Sequence, residues 1–149
     1  MTRYLVDTNI VSVAAPTTAI RHAEIVRWMD FHSRDLFLSA ISIAEIADGI
    51  AKVGRQGAKR KATDLSAWLE TLLHLYGERV LAFDSATVQI AGALADLARG
   101  RGHSPGLADV IIAATARRHG LIILSRNERH FAPMDVQVID PFKQLPSDK

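Results

Sequence analysis

Cysteine is absent from the chain of 149 residues. Disulfide staples and Cys-based zinc or iron–sulfur sites are therefore excluded, and the composition suits a reducing cytoplasm. Long apolar runs are missing as well, since none approaches the ~20 residues needed to span a bilayer. Met1 leads straight into a short apolar segment without a basic-then-hydrophobic leader, so no signal peptide is expected. The six histidines (22, 32, 74, 103, 119 and 130) show neither HExxH nor HxH spacing, which disfavours a histidine-built metal site. Gly100-Arg101-Gly102-His103 and Lys52-Val53-Gly54 fit neither a Walker loop nor a dinucleotide fingerprint. A nucleotide cofactor is disfavoured on that ground.

What is present is ordinary globular composition, with 48% hydrophobic and 23% charged residues. The length suits one domain, taken as 1–142 with a short tail at 143–149. At this size folding buries roughly 68–70% of the unfolded surface, enough for a sheet-centred core. The formal net charge of +2 is unevenly spread. Lys52, Arg55, Lys59, Arg60 and Lys61 fall in one stretch without an acid. Such a stretch can face phosphates, or it can be a solvated connection between helices.

Short apolar runs at 4–6, 36–38, 80–82, 121–124 and 136–139 read as strands. Most lack polar alternation, as parallel strands covered on both faces do. Longer patterns at 18–32, 42–53, 58–76, 85–100 and 106–119 read as helices, with Gly77, Gly100, Gly102 and Gly120 at their exits. The alternation indicates an α/β fold with an open parallel sheet and right-handed crossovers. Ligands of such sheets sit beyond the carboxyl ends of the strands, so the polar groups at those ends are the candidates.

Strand one ends in Asp7-Thr8-Asn9, where an aspartate can cap the following turn or serve a site. Strand two ends in Ser39, and the next helix is expected to open at Ser42. Ser42-Ile43-Ala44-Glu45 is then a capping box, which by itself accounts for Glu45. Asp109 is different. It is the one charged residue in the segment 107–116, which is apolar on nearly every face and reads as a buried helix. A helix dipole gives an exposed acid ~0.3–1 kcal/mol, against several kcal/mol for burying an unpaired charge, so Asp109 calls for a compensating cation or metal. Three carboxylates gathered at one edge repel unless neutralised, and oxygen ligands without Cys or paired His suit Mg²⁺ or Mn²⁺.

Four separated blocks and a closing segment carry a family resemblance. Val6-Asp7-Thr8-Asn9 and Leu38-Ser39-Ala40-Ile41-Ser42-Ile43-Ala44-Glu45-Ile46 form the first half. Gly106-Leu107-Ala108-Asp109-Val110-Ile111-Ile112-Ala113-Ala114, then Ser125-Arg126-Asn127 with His130-Phe131, form the second, and Val138-Ile139-Asp140-Pro141-Phe142 closes it. Together they resemble a PIN-domain ribonuclease of the VapC toxin type, across essentially the whole chain. The resemblance implies a three-layer α/β/α fold with a central parallel sheet of about five strands. It also implies a cytoplasmic Mg²⁺- or Mn²⁺-dependent endoribonuclease, a homodimer, and a cognate VapB-like antitoxin as inhibitor. Asp7, Glu45 and Asp109 are then the metal-binding acids, supported through hydrogen bonds by Thr8, Asn9, Ser42, Ser125 and Asn127. RNA would be held by Lys52, Arg55, Lys59, Arg60 and Lys61, with Arg126, Arg129 and His130 at the rim.

The chain departs from many relatives in one respect: Asn127 and His130 stand where a fourth acid is common. One firmly bound ion rather than two is the resulting expectation. Two rival readings remain. An aspartate ending strand one also fits haloacid-dehalogenase-like phosphatases, but those need a later lysine, and none lies between Lys61 and Lys143. The other is a scaffold of the same fold that binds RNA or a partner without cutting it.

Overall fold

The computed structural model describes residues 1–18 and 22–147. Five strands form one parallel sheet: β1 (Tyr4–Val6), β2 (Leu36–Ser39), β3 (Val80–Leu81), β4 (Ile122–Leu124) and β5 (Val138–Ile139). Their order is β3-β2-β1-β4-β5. β1 is central, and its Leu5 lies opposite Phe37 on one side and Ile123 on the other. After β1 the chain builds β2 and β3 outward on one side, then crosses to β4 and β5 on the other. The carboxyl ends of β1, β2 and β4 therefore border the crevice at which an α/β sheet binds its ligand.

Among the described residues, seven α-helices cover the two faces: α1 (Thr8–Val11), α2 (Ala23–Phe31), α3 (Ala40–Arg55), α4 (Lys59–Tyr76), α5 (Ser85–Gly100), α6 (Leu107–His119) and α7 (Glu128–Phe131). Successive strand residues point to opposite faces. Leu5 and Ile123 join Leu94, Ile112, Ala113 and Phe131 in one core beneath α5, α6 and α7. Val6, Leu36, Leu38 and Leu124 join Ile10, Ile25, Ile46 and Leu72 in the other, beneath α1 to α4. This is the expected three-layer α/β/α arrangement. Both faces of each inner strand are buried, which is why those strands read as unbroken apolar runs.

α6 is the most enclosed helix: Val110 to Ala116 are all buried. It stops at Gly120, whose φ of +64° is left-handed. There Leu121 N–H donates to Ala116 O at 2.9 Å, closing the last turn. That closure takes Leu121 out of the strand expected at 121–124.

Other boundaries differ from the sequence reading. The helix expected at 42–53 runs from Ala40 to Arg55, and its N-cap is Ser39, whose Oγ accepts from Ile41 N–H at 3.2 Å. Strand β2 thus passes into α3 without a loop, and the capping box at Ser42 does not form. The helix expected at 18–32 is described from Ala23 to Phe31, and residues 19–21 of that expectation lie outside the described residues. The edge strands β3 and β5 are only two residues each, and the single turns α1 and α7 had no signature in the sequence. Beyond 142, Leu145 packs against the second core and Pro146 is buried, while 148 and 149 lie outside the described residues. No described helix is long and apolar enough to cross a membrane.

Candidate active site

Asp7 stands where β1 gives way to α1. Its N–H still reaches across the sheet to Leu124 O at 2.9 Å, and its extended backbone (φ −68°, ψ 156°) then turns the chain into the helix. One carboxylate oxygen accepts from Thr8 N–H at 2.8 Å and the other from the Ser125 hydroxyl at 2.7 Å. The residue is only 5% exposed. Capping and site membership therefore coexist, each oxygen having its own donor and lone pairs to spare. Burial pushes the Asp7 carboxyl above its ordinary value, the Ser125 and Thr8 bonds draw it back, and nearby Asp109 raises it further.

Asp109 lies in the first turn of α6, with 23% of its side chain exposed. Burial raises its pKa first of all, His130 lowers it, and Glu45 raises it. His130 Nδ1 is 3.1 Å from Asp109 Oδ2. Glu45 comes from the second turn of α3, is exposed, and accepts from the Thr8 hydroxyl at 2.7 Å. Asp7 feels Asp109, and Asp109 feels Glu45. Three acids from three elements thus share one electrostatic field. No lysine or arginine among the described residues pairs with any of them.

Residues 4–136 match the family model of the PIN domain. The chain belongs to the PIN-domain family. It is 32% identical over 139 residues to Toxin FitB of Neisseria gonorrhoeae, covering 93% of this chain and 97% of that protein. It is 30% identical over 143 residues to VapC ribonuclease Y4jK of Sinorhizobium fredii, covering 93% and 97%. Among solved structures, FitAcB from Neisseria gonorrhoeae superimposes with a TM-score of 0.83 at 33% identity, covering 93% of this chain and 98% of that one.

Within this PIN domain Ser125 is the hub of the acidic end. It is fully buried. Besides donating to Asp7, its Oγ accepts from Asn127 N–H at 3.0 Å and from the Asn9 amide at 3.4 Å. Asn9 Oδ1 in turn accepts from Arg126 N–H at 3.3 Å. The four residues Thr8, Asn9, Ser125 and Asn127 named from the sequence do reach one network, although Asn127 does so through its backbone. Ser42 does not join it: buried inside α3, its Oγ has no hydrogen-bond partner.

The cationic residues divide. Lys52, Arg55, Lys59, Arg60 and Lys61 are all exposed across the end of α3 and the start of α4. Of these, Lys61 lines a cavity of about 340 Å³ that also touches Thr8, Ser12, Glu45 and Trp68. Arg129 is exposed. Arg126 does not turn to the acids: its guanidinium carbon lies over the Phe142 ring, 4.1 Å from the centroid. By sequence Trp68 reads as core or dimer packing, and Phe142 enters only in the closing block of the resemblance, since nothing in their local sequence separates them from core aromatics.

No three His, Cys, Asp or Glu side chains among the described residues are already gathered as a ligand cage. The donor set nevertheless fits a hard divalent cation. It consists of carboxylates, a hydroxyl and amides, its three acids pair with no lysine or arginine among the described residues, and Mg²⁺ needs only one or two protein carboxylates.

Proposed function

We propose that this PIN domain is the toxin of a toxin–antitoxin pair and a divalent-metal-dependent endoribonuclease of the cytoplasm. The observation that carries the reading is the grouping of Asp7, Glu45 and Asp109 at the carboxyl edge of one sheet, with no arginine or lysine among the described residues paired to them. Asp7 and Asp109 would hold Mg²⁺ or Mn²⁺ directly, with Glu45 alongside. A bound ion of this kind neutralises charge on the phosphate and acidifies water. The chain's own residues fix the acids: Thr8 N–H and the Ser125 hydroxyl clamp the two oxygens of Asp7, and the Thr8 hydroxyl clamps Glu45. Lys61, which lines one cavity with Glu45, would bind an RNA phosphate, with its four basic neighbours extending the contact. The reaction is hydrolysis of a phosphodiester bond: water adds to phosphorus, one P–O bond breaks, and no enzyme-linked intermediate forms.

The names Toxin FitB and VapC ribonuclease support this reading. So does a trough suited to an antitoxin. Three cavities of about 340, 370 and 410 Å³ share lining residues, with Trp68 common to the first pair and Ala14 and Val26 to the second. The trough follows α2 and α4 and ends at Glu45. An amphipathic antitoxin segment laid along it would bring an arginine to the acids. A homodimer of the toxin belongs to the same reading.

The test is cleavage of tRNA, rRNA and mRNA by the purified, antitoxin-free chain with Mg²⁺ or Mn²⁺. Cleavage is expected to vanish with EDTA and in Asp7→Asn while the circular dichroism spectrum is unchanged. Undiminished cleavage by Asp7→Asn would sink the mechanism, and no cleavage of any RNA by the intact chain would favour a non-catalytic scaffold.

A further inference from the structure

Arg126 is an exposed cation directly after Ser125, the partner of Asp7, yet among the described residues it forms no ion pair. Its guanidinium instead lies over Phe142, 4.1 Å from the ring centroid. The arrangement is fixed from both sides. Arg126 N–H is tied to Asn9 Oδ1, and Asn9 reaches Ser125, which holds Asp7. Phe142 is tied by its N–H to the buried carboxylate of Asp140 at 2.9 Å, and its ring meets His22 edge-on at 4.5 Å. A flexible rim arginine meant only for phosphate needs no such backing. A guanidinium is planar; held over an aromatic ring and belonging to an exposed residue, it can offer its other side to an incoming base.

From this geometry we infer that Arg126, backed by Phe142, is a nucleobase-stacking platform. It takes the base of a nucleotide next to the phosphate that sits at Asp7. Unpaired RNA bases stack on guanidinium planes as they do on aromatic rings, and Arg does this while Lys, a point charge, does not. The inference rests on the ribonuclease reading.

The test is fluorescence anisotropy in EDTA, so that RNA stays uncut, with labelled oligouridylate and oligoadenylate hexamers and a matching abasic ribose-phosphate hexamer. The variants are Arg126→Lys, Arg126→Ala and Phe142→Leu, each with its melting temperature recorded. The intact chain is expected to bind base-bearing hexamers more tightly than the abasic one. Arg126→Lys and Arg126→Ala are both expected to lose about tenfold on base-bearing RNA, the scale of one stacked base, and much less on the abasic strand. Phe142→Leu is expected to fall between. Binding by Arg126→Lys equal to the intact chain, or an equal loss on the abasic strand, overturns the platform and leaves the nuclease reading standing. If the intact chain neither binds nor cuts RNA, both readings fall together.

Discussion

Replacing Ser125 by alanine tests how the acidic end is held. The hydroxyl is fully buried and donates at 2.7 Å to a carboxylate that is itself 5% exposed. A hydrogen bond to a charged group contributes ~1.5–3 kcal/mol. Asn127 N–H and the Asn9 amide also lose their acceptor, but both residues reach solvent, so water can replace it. A loss of about 2 kcal/mol at pH 7 follows, or roughly 4–8 °C in Tm for a chain of this size. The penalty belongs to the ionised form of Asp7. Its folded pKa is raised by burial, so acidification adds a proton to the native carboxyl before the unfolded one takes it up. Once Asp7 is protonated the bond is worth only about 1 kcal/mol, as between neutral groups. The Tm gap between Ser125→Ala and the parent should therefore narrow from pH 7 toward pH 4. It should also shrink when both carry Asp7→Asn, giving a coupling that a double-mutant cycle measures. A gap independent of pH and of the residue at position 7 would refute the hydrogen-bond account and reduce Ser125 to a space-filling residue.

Two further outcomes follow from the electrostatics. Arg118 and two donors of Thr87 hold the Asp84 carboxyl well below the usual carboxylate range. A depressed folded pKa gives stability that is fully present above the unfolded value near 4 and is lost as pH falls through the folded one. Asp84→Asn should therefore flatten the loss of Tm between pH 4 and pH 2, and an unchanged acid limb would exclude the pair as its cause. Mn²⁺ should raise the Tm of the intact chain in a thermal-shift titration by binding the folded state alone. Asp109→Asn should abolish most of that rise, and an equal rise in the variant would place the ion elsewhere.

The inner sheet was legible because β1, β2 and β4 are buried on both faces and cannot afford polar alternation. α6 was legible for the same reason, and with it the oddity of Asp109. The start of α3 was not. Ser39 and Ser42 both satisfy the rules for a cap, and Glu45 completes a capping motif with the wrong one. Only the run of β2 directly into the helix decides for Ser39, and that frees Glu45 to meet Thr8. α1 and α7 are single turns, too short for a periodic pattern to register. The contacts of His130 with Asp109 and of Arg126 with Phe142 join residues 21 and 16 positions apart, through packing that no local pattern encodes.

The central place of β1 also sets an order of events. Asp7 is made first of the three acids, but its second clamp, Ser125, and its sheet bond to Leu124 come more than a hundred residues later. Glu45 and Asp109 arrive between them from opposite sides of the sheet. A nascent or truncated chain that lacks β4 carries all three acids and still holds Asp7 by Thr8 alone. Contacts of such long range form late in folding. For a chain proposed to cut its host's RNA, danger is thus postponed until β4 and Ser125 have been made, and a premature stop before Leu124 leaves a fragment without the finished site.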